Sequence, residues 1–165
     1  MDSLLHTPEG VRDIYNEECS KKNALSAKLD RILKLYGYKD IQTPTFEFFD
    51  IFNRERGSVP SRNMYKFIDR DGSTLVLRPD ITPSIARAVA KYFKEETIPL
   101  RFSYCGNTFI NNSSLQGKMK ETTQLGAELI GDRDIEGDAE VVALAIHLLL
   151  ESGLTDFQLD IGHVG

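Results

Sequence analysis

No apolar run in this 165-residue sequence approaches the ~20 residues that a membrane-crossing helix requires. The N-terminal stretch also lacks a basic region leading into an apolar one, so no secretory signal is read there and a cytoplasmic location is expected. Cysteine is scarce: Cys19 and Cys105 lack the short paired spacing of zinc sites, and both are expected as free thiols. Positive charge is in deficit, with 20 basic residues against 25 acidic ones and a net charge of -5, which argues against a broad nucleic-acid footprint. Internal repeats and low-complexity tracts are absent. No metal and no cofactor are expected.

What remains is a composition of 41% hydrophobic and 27% charged residues, suited to one buried core, and a single domain over residues 1–165 is the starting expectation. Leu25, Leu29, Ile32 and Tyr36 recur at helical spacing between Asn16, a good N-cap, and Gly37, a good terminator. Tyr38 to Pro44 reads as a short extended segment at an edge or interface, because Pro44 removes a ladder donor. Phe46, Phe48, Phe49, Ile51 and Phe52 read as an aromatic packing cluster. The polar stretch Arg54 to Arg62 reads as a loop. Met64 to Asp69 and Ser73 to Leu77 flank Asp71-Gly72 and predict a hairpin.

A second helix is expected from Thr82 as N-cap with Pro83 behind it, burying Ile85, Val89, Tyr92 and Phe93. Strands are expected at Leu100 to Tyr104 and Thr122 to Ile130, joined by a long loop from Asn107 to Lys120. A third helix runs from about Asp138 through Val141, Val142, Ala145, Leu148 and Leu149, with His147 on its solvent side. An alternating strand follows at Phe157 to Ile161. The pattern is an α+β domain: an antiparallel sheet with helices packed on it.

The period of two in Thr122 to Ile130 places Gln124, Gly126 and Glu128 on one face. Gly126 would leave floor space between two long polar side chains, where a small molecule could approach the backbone. Gln158 and Asp160 repeat the pattern and would join that face if the two strands were neighbours. Alternation alone accommodates both a pocket and a solvated sheet surface. Near Leu77 to Thr82, capping of the helix accounts for Thr82, while Asp80 is also positioned to receive an ammonium group. Arg78 reads as a guanidinium holding a carboxylate near the helix start. His163, at a strand end, reads as a supporting hydrogen-bonder.

Four segments in order, Thr7-Pro8-Glu9-Gly10-Val11-Arg12-Asp13, Tyr38 to Pro44, Leu77 to Thr82 and Thr122 to Gly131, resemble successive landmarks of the histidyl-tRNA synthetase family. The resemblance covers nearly the whole chain. It implies a class II aminoacyl-tRNA synthetase-like fold, incomplete at the C-terminal end, with Leu25 to Pro44 as the dimer-forming first motif. It also implies a histidine pocket built from Asp80 and Thr82 beside the amino group and from Gln124 and Glu128 on the sheet. In active members an Arg of the second motif clamps the ATP α-phosphate and the amino-acid carboxylate. Here that stretch reads Phe109-Ile110-Asn111-Asn112-Ser113-Ser114, and Ile110 stands in the Arg position. Losing a preorganised cation there costs about a hundredfold or more in adenylation rate. Lys118 or Lys120 could bring charge, but only on a flexible stem.

Thr122 to Gly131 and the ending Leu154 to Gly165 are more similar to the ATP phosphoribosyltransferase regulatory subunit family, which keeps the synthetase fold without its chemistry. What this implies is a non-catalytic protein that assembles with a short-form catalytic subunit and mediates feedback by histidine. A homodimer through the first motif is the expected assembly, with neither nucleic acid nor membrane as a partner. An active class II adenylating enzyme is the alternative.

Overall fold

The computed structural model describes residues 5–53, 59–112 and 117–162. Along the chain run α1 (Asn16–Leu35), β1 (Lys39–Asp40), β2 (Phe46–Phe48), β3 (Lys66–Ile68), β4 (Thr74–Leu77), α2 (Thr82–Tyr92), β5 (Leu100–Phe109), β6 (Glu121–Ile130) and α3 (Ile135–Glu151). The fold is α+β. The chain forms two compact units, one of Met1–Tyr15, Ile41–Glu96 and Tyr104–Gly126, the other of Asn16–Asp40, Thr97–Ser103 and Ala127–Gly165.

In the first unit β2, β4 and β3 form an antiparallel sheet in the order β2-β4-β3, with Glu47 and Lys66 both opposite Val76. The predicted hairpin forms: Gly72 takes φ +86°, its N–H donates to Asp69 O, and Ser73 N donates to Asp71 Oδ1 at 2.9 Å. Val76, Phe52 and Met64 make the core beneath this sheet. Strand β2 inverts the usual polarity. Glu47 is only 7% exposed, whereas Phe46 and Phe48 are 52% and 57% exposed, so two of the five aromatic-cluster residues point outward instead of packing inside. The inversion is tolerated because Arg87 of α2 reaches the buried carboxylate, with Nη2 to Oε1 at 2.6 Å and Nε to the same oxygen at 3.1 Å. A paired, hydrogen-bonded carboxylate can sit inside where a lone one could not. Helix α2 buries Ser84, Ile85 and Ala88. The expected Tyr92 is exposed, because it is the last residue of the helix and lies beyond the buried turns.

In the second unit α1 buries Ile32 and Leu33 and stops before Gly37, whose φ of +82° ends it. Asn16, with φ +51°, opens the helix in the left-handed region that asparagine tolerates. The extended segment after α1 is a two-residue edge strand pairing in parallel with β5, Lys39 opposite Phe102 and Asp40 opposite Ser103. Helix α3 begins at Ile135, three residues earlier than expected, and its buried members are Gly137 and Leu144 while Val141 is exposed. The apolar run of α3 is wide enough that spacing alone picks the wrong stripe. His147 is half-buried, its ring 5.8 Å from that of Tyr36, and so does not face solvent alone. Lys28 closes the other end of α3 by donating to Glu151 O at 2.7 Å, where a cation suits the helix dipole.

A polar triad ties this unit together. Arg101 holds Glu140 with two bonds, Nε to Oε1 at 2.8 Å and Nη2 to Oε2 at 2.6 Å, and the buried Tyr38 hydroxyl donates to Glu140 Oε1 at 3.1 Å. Burial, reinforced by the Glu140 charge, pushes the Tyr38 phenol up to about 12. The Arg101 hydrogen bonds hold the Glu140 carboxyl below its ordinary value of 4.5. The unfolded chain therefore binds this proton more readily than the native state. The stabilisation is complete above the ordinary value and fades as the pH falls through the lowered native one. Glu140→Gln is accordingly expected to be less stable than the parent at pH 7, with the gap closing below about pH 4.5. Urea midpoints at pH 7 and pH 3.5 test this; a gap unchanged between the two would refute it.

The last predicted strand does not form. Residues 157–162 have no strand partner among the described residues, Leu159 and Ile161 are exposed, and Gln158 turns its amide onto Asp160 at 2.8 Å. Alternation qualifies a segment for a ladder but cannot supply the neighbour that the ladder needs.

Candidate functional site around the β4–α2 junction and strand β6

The junction between β4 and α2 is organised by Asp80. Its Oδ1 accepts from Ile81 N at 2.6 Å and from Thr82 N at 3.2 Å, satisfying N–H groups that the helix cannot pair. The residue in the N-cap position is Ile81, and Thr82 is the first helical residue with Pro83 next. The expectation that Thr82 caps the helix is therefore corrected: capping is done from outside, by Asp80. That carboxylate stands half-buried at a helix start, and the Thr82 side is exposed.

Strands β5 and β6 supply the sheet face. Thr108 Oγ1 meets Thr122 Oγ1 at 3.1 Å, Ile110 N donates to Lys120 O at 2.9 Å, and the Tyr104 ring lies over Gly126. Numbers rise along one strand as they fall along the other, so the pair is antiparallel and Gly106 stands opposite Gln124. Asn107 lies on the other face, donating to Glu121 Oε1 at 2.6 Å and accepting from Thr123 Oγ1 at 2.9 Å. These cross-strand bonds explain why β5 continues to Phe109, three residues into what was expected as loop. Ser113 and Ser114 lie outside the described residues, as do His163 and most of the expected loop Arg54 to Arg62.

Gln124 is exposed on this face, and Glu128, two alternations further along the same strand, is half-buried. Between them the floor at Gly126 is not open: a Cβ there would come within 3.0 Å of Tyr104 Cε2. The gap expected from the missing side chain is filled by an aromatic ring from the neighbouring strand. Sequence reading missed Tyr104; the signal was an aromatic residue in a strand that had to lie beside a glycine.

Arg78 also departs from expectation. It holds no carboxylate among the described residues. Its Nε donates to Asn107 O at 2.8 Å and its Nη1 to Thr43 O at 2.7 Å and Pro44 O at 3.3 Å. The main chain joins the same two segments, Arg78 N donating to Thr45 O at 2.9 Å and Phe109 N to Arg78 O at 3.0 Å. Ile110, at the position the resemblance assigns to Arg, is half-buried and aliphatic. Of the two lysines that could bring charge, Lys118 is exposed, and the stem of Lys120 lies against Gly10, whose carbonyl accepts from Lys120 N at 2.7 Å.

Three helices, antiparallel strands and the short parallel pairing of β1 with β5 make an α+β fold of the class II synthetase-like type. The sequence model of the histidyl-tRNA synthetase family matches residues 10–165, and the chain belongs to that family. A curated relative from Acetivibrio thermocellus, named ATP phosphoribosyltransferase regulatory subunit, is 46% identical over 97% of this chain. The chain spans 38% of that relative's length. A solved structure from Bacillus halodurans, described as an ATP phosphoribosyltransferase regulatory subunit/histidyl-tRNA synthetase, superposes with a TM-score of 0.85 at 36% identity, covering 94% of this chain and 40% of that one. Apo S. aureus histidyl-tRNA synthetase superposes with a TM-score of 0.73 at 30% identity, over 88% of this chain and 34% of its own. No helix among the described residues is long and apolar enough to cross a membrane.

Proposed function

We propose that this chain belongs to a regulatory subunit of ATP phosphoribosyltransferase, acting in histidine biosynthesis in the cytoplasm and carrying out no aminoacylation itself. The observation that carries the reading is Ile110: an aliphatic side chain stands where adenylation requires a fixed guanidinium. The name of the Acetivibrio thermocellus relative supports the regulatory role. The partner is a short-form catalytic subunit that depends on this protein for activity, and histidine is the effector. Asp80, Thr82, Gln124 and Glu128 are the candidate histidine contacts, with the carboxylate of Asp80 suited to an ammonium group. The regulatory subunit is a homodimer through the first-motif region, Leu25 to Pro44.

The test uses the protein at its full native length, mixed with a purified short-form catalytic subunit, and follows the condensation of ATP with its phosphoribosyl donor. Mixing is expected to raise the rate by about tenfold or more, in the range of ordinary allosteric coupling, and histidine to lower it again. No increase on mixing defeats the reading. The second reading, an active synthetase, draws on the family membership itself and is separated from the first by the adenylation measurement described below.

A further inference from the structure

Arg78 stands where separate segments of the first unit meet. Its Nη1 donates to Thr43 O and Pro44 O at 2.7 and 3.3 Å, its Nε to Asn107 O at 2.8 Å, and its own N–H to Thr45 O at 2.9 Å. Phe109 N donates back to Arg78 O at 3.0 Å. Residues 41–44 lie in neither helix nor strand, so no ladder fixes their path, and it is Arg78 that bonds to Thr43, Pro44 and Thr45. Two residues further on, Asp80 Oδ1 accepts from Ile81 N at 2.6 Å and from Thr82 N at 3.2 Å, while the Ile81 side chain is buried. The backbone from Arg78 to Thr82 is thus held at both ends. A displacement of Thr43 and Pro44 is passed on to Asp80 instead of being absorbed between them.

We propose that Arg78 is a positioning residue that couples the pairing of two protomers to the histidine site. It grips the end of the segment through which the protomers pair, Leu25 to Pro44, and sets the place of Asp80 and Thr82. This coupling presupposes the proposed homodimer and histidine contacts. In a separated protomer Thr43 and Pro44 lose the partner's support, and the carboxylate suited to the ammonium group loses part of its fixed position. Histidine therefore binds the dimer more tightly than the separated protomer, and by linkage holds the dimer together. Arginine suits the task because its planar fork reaches carbonyls on two segments at once.

The experiment mixes unlabelled and heavy-isotope-labelled protein of full native length, with and without histidine, and follows the appearance of mixed dimers by native mass spectrometry. Calorimetry on each variant sets the histidine concentration at saturation. In the parent, histidine is expected to slow subunit exchange by about fivefold or more, the lower end of ordinary coupling between sites. In Arg78→Lys the slowing is expected to fall to about twofold or less, because lysine reaches one segment only. Gly106→Ala keeps the arginine but places a Cβ against Nη2, and is expected to weaken the slowing in the same direction. Val76→Ala, a truncation of a fully buried side chain in β4 that leaves these bonds in place, is expected to lose stability yet keep the full slowing. Equal exchange with and without histidine in the parent overturns the proposal. So does full slowing in both Arg78→Lys and Gly106→Ala, or a loss in Val76→Ala as large as that in Arg78→Lys. A parent that binds no histidine, or that is monomeric, overturns the functional reading itself and the coupling with it.

Discussion

Arg78→Met is expected to lower the free energy of unfolding by about 3 kcal/mol, and Arg78→Lys by about half as much. The side chain satisfies the carbonyls of Thr43 and Asn107 at 2.7 and 2.8 Å, and each such acceptor left buried and unpaired costs about 1–3 kcal/mol. Methionine fills most of the volume but donates nothing. Against this stands the removed desolvation penalty of the guanidinium, which is why the expected loss is near 3 kcal/mol and not near the 6 kcal/mol that two orphaned acceptors could reach. Pro44 is exposed, so water replaces the third donor there at little cost. Lysine can reach one carbonyl but lacks the planar fork that serves both segments. Urea midpoints with unchanged slopes measure the difference; a methionine variant within 0.5 kcal/mol of the parent, a margin typical of surface substitutions, would show that the carbonyls find other donors.

With histidine and ATP, the full-length protein is expected to exchange labelled pyrophosphate into ATP about a hundredfold or more slowly than an active histidyl-tRNA synthetase. Attack of the histidine carboxylate on the α-phosphorus places growing negative charge on the phosphate oxygens. A guanidinium fixed beside them lowers the barrier by a few kcal/mol because it needs no reorganisation at the moment of reaction. Ile110 supplies no charge. Lys120 is committed along Gly10 and Lys118 is exposed on a long flexible stem, so neither reproduces a preorganised clamp. Exchange within tenfold of the active enzyme would overturn both this prediction and the regulatory reading, and would favour the synthetase alternative.

Local chemistry was legible in the sequence wherever it was self-contained. Asp71-Gly72 between two apolar runs specifies its hairpin, because the positive φ at Gly72 and the Asp71 side-chain bond are both fixed by the residues themselves. Asn16 and Gly37 likewise bracket α1. Features that depend on a neighbour were not legible. Glu47 faces inward only because Arg87, forty residues away, meets it, and no periodicity in Phe46 to Phe48 announces that pairing. Gly126 looked like open floor until Tyr104 of the next strand was placed on it. Phe157 to Ile161 has the alternation of a strand but no ladder partner among the described residues. At the candidate site, the junction of β4 with α2 was readable, but the division of labour was not: Asp80 does the capping given to Thr82, and Arg78 grips backbone where a carboxylate was expected.

The close fit of the Arg78 guanidinium over Gly106 makes the two positions a matched pair. Any larger residue at 106 would meet Nη2, so the guanidinium tip would have to shift, straining its bonds to Thr43 and Asn107. A shorter side chain at 78 would remove that cost and leave 106 more open to alanine or serine. Gly106→Ala is therefore expected to cost more with Arg78 in place than in an Arg78→Met background, a coupling that a double-mutant cycle reads directly.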